Sequence, residues 1–134
     1  MKNHELIEMA KAMLSKAYVP YSKFPVGAAV LCEDGTIYTG CNIENAAYGP
    51  TICAERAALC RAVCDGNLKI EKVAVVAETE DYCYPCGVCR QTLYEFNPRM
   101  KIICGRHDGT IKEHTLDELL PCAFGPVSLN DKLS

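Results

Sequence analysis

Two short segments of this chain could hold a metal ion between them. Pro85-Cys86-Gly87-Val88-Cys89 sets two cysteines three positions apart, and Cys53-Ala54-Glu55 lies upstream of it. Cysteines at that spacing, at the start of a helix, fall on one face a turn apart, close enough to share an ion. A helix N-terminus favours the thiolate through its dipole and its unpaired N–H groups. Cys53, at the start of another helix, can supply a third sulfur from across a cleft. Three protein ligands leave one tetrahedral position for water, the arrangement of a catalytic rather than a closed structural zinc. A pair of cysteines three apart also suits a structural zinc knuckle, a redox dithiol or plain packing. A knuckle would want a second such pair, yet His4, His107 and His114 lack the spacing and Cys83 is the only further candidate ligand nearby. Glu55, two positions after a ligand, could aim its carboxylate at the open position and carry protons. Alone it would read as an ordinary first-turn glutamate.

Zinc with three thiolates is electron-rich, which weakens it as a Lewis acid. Arg56 could offset this by donating a hydrogen bond to a ligand thiolate, and Arg90, next to Cys89, is a second candidate.

The elements that must position these groups can be read from periodicity. Leu6, Ile7, Met9, Ala10, Met13, Leu14 and Ala17 form a helical stripe from Asn3 to Tyr18. Val26 to Cys32 and Thr36 to Cys41 flank Glu33-Asp34-Gly35, a hairpin with an Asp-Gly turn. After a polar loop, helices are predicted from about Cys53 to Cys64 and from about Cys86 to Phe96. Strands are predicted at Lys72–Ala77, Lys101–Gly105 and Ile111–Thr115, and a last helical turn at Leu116–Leu120. Strands alternating with helices imply a buried sheet covered on both faces.

The chain has 134 residues, 49% hydrophobic and 23% charged, which suits one domain over residues 1–134. Its formal net charge of −3 disfavours a polyanionic partner and fits a small or neutral substrate. No basic stretch followed by an apolar one opens the chain, and Phe24 to Cys32 is too short to span a bilayer, so neither a secretory leader nor a membrane anchor is expected. Ten cysteines could mean a disulfide framework, but several sit in apolar segments: Cys32 and Cys104 in strands, Cys60 and Cys64 on one face of a helix. A reducing cytoplasm, with most cysteines packed as small hydrophobes, is the expectation.

Taken together these residues resemble the zinc deaminases with a Cys-x-Glu and a Pro-Cys-x-x-Cys element. The match extends through Ala17–Phe24, Val26–Ala29, Gly40–Tyr48, Cys53–Arg56, Pro85–Gln91 and Glu118–Phe124, in order and spacing, and is similar to the small homotetrameric cytidine deaminases. The resemblance implies a three-layer α/β/α fold with a mixed five-stranded sheet, zinc on Cys53, Cys86 and Cys89, and Glu55 as the proton carrier in hydrolytic deamination of cytidine and deoxycytidine. It implies Asn42 and Glu44 on the ribose hydroxyls, Phe24 on the pyrimidine ring, and the backbones of Ala54 and Tyr84 on the 2-oxo and amino groups. It further implies Phe124 entering a neighbouring subunit's site, Tyr48 at that interface, and no nucleic acid partner. Tyr84 and Cys122 stand where smaller residues are usual. Rival readings are a deaminase of another aminopyrimidine compound, disfavoured by the Asn42-x-Glu44 pair; a nucleic-acid-editing deaminase, disfavoured by the lack of a basic channel; and a non-enzymatic zinc module.

Overall fold

The computed structural model describes residues 1–133, with side chains through Leu129. Four largely apolar runs and one polar one form five strands: β1 Val26–Cys32, β2 Ile37–Cys41, β3 Ile70–Ala77, β4 Lys101–Gly105 and the polar β5 Ile111–Thr115. They make one mixed sheet in the order β2-β1-β3-β4-β5, parallel only between β3 and β4. The β1–β2 turn closes as expected, with the Asp34 carboxylate accepting from Thr36 N at 2.9 Å. Helices cover both faces, giving three α/β/α layers as the resemblance implied.

One face carries α1, Asn3–Lys11. Its Leu6, Ile7 and Ala10 pack on Ala29, Leu31, Ala74, Val76 and Ile103. The approach is close: a Cβ at Gly27 would stand 2.0 Å from the Ala10 carbonyl oxygen. The other face carries α2, Ala54–Cys64, and α3, Gly87–Tyr94, over a core that includes Ala28, Val30, Val73, Val75, Ile102 and Cys104. At Gly40 in β2 a Cβ would meet Ala58 N at 2.5 Å and Ala54 O at 2.7 Å, so the first turn of α2 lies directly on the sheet. The chain then runs through α4, Leu116–Leu119, to α5, Pro126–Leu133.

Two expectations are corrected. The first helix stops at Lys11, and Leu14–Lys16 forms a separate 3-10 turn. The apolar stripe continues, but Tyr18 is drawn into a bridge with Ile43, donating its N–H to Asn42 O and accepting from Glu44 N, and the helix must end to allow it. Cys60 and Cys64 share a face of α2 but are exposed, because the buried face is Ala54, Glu55, Ala58, Leu59 and Ala62. Cys32 and Cys104 are buried strand residues as expected. No helix among the described residues is long and apolar enough to cross a membrane.

Candidate active site

The N-termini of α2 and α3 meet above the sheet and bring the three cysteines together. Cys53 and Cys86 occupy the N-cap positions of the two helices, and neither side chain caps its helix. Ser, Thr, Asp or Asn would normally stand there to satisfy the first N–H groups. Thiols in those places leave the N–H groups unpaired and place sulfur in the positive field of two helix ends. Cys89, one turn into α3, is fully buried beneath. The three Sγ atoms lie within 4.8 Å of one another, the only such group of metal-ligating side chains among the described residues.

The donor set fits zinc. Two sulfurs on a tetrahedral zinc, each bonded at about 2.3 Å, stand about 3.8 Å apart; Cys53 and Cys86 Sγ are separated by 3.8 Å. Arg56 Nη2 donates to Cys53 Sγ at 3.5 Å and to Thr51 O at 3.3 Å. The Cys89 thiol donates to Cys53 as well, and with the Arg56 guanidinium beside it this pulls the Cys53 thiol down to about 5 despite burial; Cys89 is held up in turn. Cys83 stands outside the cluster, and burial pushes its thiol up to about 12.

Glu55, the second residue of α2, is 4% exposed, and no other polar or charged residue is buried among those described. Burial, with a smaller contribution from Cys53, raises its carboxyl to about 7. A group poised near neutrality can take and return a proton at working pH. The helix that presents Cys53 therefore also presents a buried carboxyl beside it, poised near neutrality.

A cleft of about 210 Å³ opens onto these groups. Of the residues singled out from sequence, it gathers Phe24, Asn42, Cys53, Ala54, Glu55, Tyr84 and Cys86 in its wall. Val26, Thr51, Ile52 and Cys83 complete the wall without having been singled out as binding residues. Apolar character in a strand or loop carries no signal of which cavity it lines. Asn42 spans the chain beneath the cleft: its Oδ1 accepts from Val26 N at 2.9 Å and its Nδ2 donates to Phe24 O at 2.9 Å. Glu44 lies next door, in a hollow shared with Tyr21, Ser22, Tyr48 and Thr51, where its Oε1 accepts from Tyr21 N and Ser22 N. Tyr48 is 74% exposed and its ring meets that of Tyr21 edge-on. Phe124 is 59% exposed and outside the cleft wall, with its carbonyl accepting from Gln91 Nε2.

Arg90 does not face a thiolate. Its guanidinium donates to Pro85 O and Leu119 O, each at 2.8 Å, which ties the segment before Cys86 to the end of α4.

Known proteins share this arrangement. The cytidine and deoxycytidylate deaminase zinc-binding region matches residues 1–105. A cytidine deaminase of Sporosarcina psychrophila is 52% identical over 97% of this chain and 96% of its own length. One of Halalkalibacterium halodurans is 47% identical over 98% of this chain and 100% of its own. The crystal structure of a cytidine deaminase from Burkholderia pseudomallei superposes with a TM-score of 0.89 at 44% identity, covering 92% of this chain and all of that one. Sequence, fold and a three-sulfur cluster beside a buried glutamate thus agree, and the chain belongs to the zinc-dependent cytidine and deoxycytidylate deaminase family.

Proposed function

We propose that this chain hydrolyses the 4-amino group of cytidine and 2′-deoxycytidine, releasing ammonia and the uracil nucleoside, as a hydrolase of pyrimidine salvage whose catalytic domain spans residues 1–134. The observation that carries the reading is the juxtaposition of Glu55 with the sulfurs of Cys53, Cys86 and Cys89 at one cleft. Those three residues would hold zinc. When bound, the ion supplies Lewis-acid activation of water at neutral pH. Glu55 takes one proton of the attacking water and delivers it to N3 of the pyrimidine. It then takes the second from the hydroxyl left on C4 and passes it to the departing amino nitrogen, so that the C4–N bond breaks as the C4 carbonyl forms and ammonia leaves. The raised proton affinity of Glu55 suits both directions of transfer. Arg56 holds Cys53 as a thiolate and draws charge from it.

The wall of the cleft orients the base. Phe24 offers an aromatic face, the Ala54 N–H at the start of α2 is free to donate to the 2-oxo group, and the Tyr84 carbonyl can accept from the 4-amino group. Asn42 and Glu44 keep hydrogen-bonding capacity beyond their backbone partners, a second amide N–H and the Oε2 oxygen, for the ribose hydroxyls. Phe124 and Tyr48 are large aromatic side chains exposed to solvent, which favours burial against other copies. We place them at the contacts of a homotetramer, with Phe124 completing a neighbour's site. Ten free cysteines suit a reducing cytoplasm.

The test is direct. Purified protein should contain one zinc per chain, sediment as a tetramer, and lower the absorbance of cytidine as uridine forms. Zinc-replete protein that leaves cytidine untouched while deaminating another aminopyrimidine would overturn the substrate assignment.

A further inference from the structure

The segment that carries the chain from the end of β3 at Ala77 to Cys86 belongs to no helix or strand. It nevertheless forms one side of the cleft through Cys83 and Tyr84 and delivers a sulfur of the cluster. Its placement must come from elsewhere in the fold: Arg90 holds its end at Pro85 O, and the contacts along the rest of it lie with the β4–β5 hairpin. Cys83 N donates to Gly105 O at 3.2 Å, and Thr79 O accepts from His107 N at 3.2 Å. The Tyr82 ring carries two cations: Arg106 Cζ at 4.4 Å and Lys112 Nζ at 4.8 Å from its centroid. Arg106 is itself fixed, with its Nε donating to Thr110 Oγ1 at 2.7 Å. The Tyr84 ring packs on His114 with centroids 5.7 Å apart. Tyr82 and Tyr84 are two residues apart, as are Lys112 and His114, so successive same-face residues of β5 meet successive same-side residues of the segment.

We propose that Tyr82, gripped by Arg106 and Lys112, is a positioning residue for the active site: it fixes the register of the wall segment, and through it the places of Tyr84 and Cys86. This rests on the reading of the cleft as the deaminase site. Tyr82 touches no reacting group. It acts by holding the backbone of the wall segment, while α3, which Cys86 caps, anchors that segment's end.

The experiment compares Tyr82→Leu, Tyr82→Phe and the double variant Arg106→Gln/Lys112→Gln in the zinc-loaded full chain. KM and kcat for cytidine are measured beside the rate of zinc release to a chromogenic chelator and the melting temperature. Two cation–π contacts at an exposed site are worth about fivefold, and that is the expected rise in KM and in zinc release for Tyr82→Leu and for the double variant. Tyr82→Phe keeps the aromatic face and should match wild type in both. The proposal is overturned if Tyr82→Leu equals wild type in KM and zinc release, if Phe is as impaired as Leu, or if only melting temperature moves. Should Tyr82→Leu fail to fold, the double variant decides, since both of its side chains lie at the surface. If wild-type protein holds zinc but ignores cytidine, the functional reading has failed, and the zinc-release comparison still judges the grip on Tyr82.

Discussion

The two faces of the sheet use the same strands for opposite purposes. Against α1 the buried contact is apolar, with hydrogen bonds at Asn3 and Lys11, the two ends of the helix, and so tight that Gly27 has no room for a methyl group. Against α2 and α3 the contact includes a fully buried thiol, a buried carboxyl and a cleft. Burying a carboxyl costs free energy unless it is protonated or partnered. The apolar face has no such cost and supplies stability that the reactive face spends. The contrast makes definite demands on variants: changes on one face should unfold the protein and leave its chemistry intact, and changes on the other should do the reverse.

The largest effect is expected on the reactive face. Glu55→Gln removes the proton carrier and should lower kcat by about 10²–10⁴, with zinc content by metal analysis unchanged; near-normal turnover would remove Glu55 from the mechanism. On the opposite face, Gly27→Ala drives a methyl group to within 2.0 Å of Ala10 O. Denaturant unfolding should show a loss of about 3 kcal/mol, with activity per folded molecule preserved. A loss of specific activity at full folding would show that the faces are not independent. Arg56→Gln deletes a charge-assisted hydrogen bond to the Cys53 sulfur, 3.5 Å long in this structure. Turnover should fall about tenfold, and zinc content should fall less; if neither moves, the guanidinium is not compensating thiolate charge. The smallest effect is a gain. Cys122 holds a φ of 54°, the left-handed region that glycine adopts freely. Cys122→Gly should raise stability by about 0.5–1 kcal/mol, and a loss would mean that the thiol makes a contact outweighing the strain.

Much of this was legible in the sequence, for identifiable reasons. Strands β1 to β4 are largely apolar runs near turn residues, a pattern that survives without knowledge of partners. Strand β5, polar at Lys112, Glu113 and His114, is set off by the Asp108-Gly109 turn before it. The sulfur cluster was legible because its spacing is fixed by helix geometry. What escaped depends on distant segments. The end of α1 is set by the Tyr18–Ile43 bridge, far along the chain. Arg56 and Arg90 look alike beside their cysteines, and only packing sends one to a thiolate and the other to two carbonyls. Cys60 and Cys64 keep helical spacing, yet which face of α2 meets the sheet is decided by Ala58 and Ala62. The grip on Tyr82 joins it to Arg106 and Lys112, well downstream in the β4–β5 hairpin, and leaves no local pattern at all.

Gly40 has a consequence of another kind. The helix that bears Cys53 and Glu55 rests on a strand position where a hydrogen atom stands in place of a side chain. The depth of the reaction chamber is therefore gauged from below, by a missing carbon on the far side of the helix from the substrate. Anyone reshaping this enzyme for bulkier bases could widen the mouth at Phe24 or Tyr84 and leave that gauge alone. Adding even one methyl group at position 40 would lift Cys53 and the Glu55 carboxyl together, and so disturb the site before any new substrate arrived.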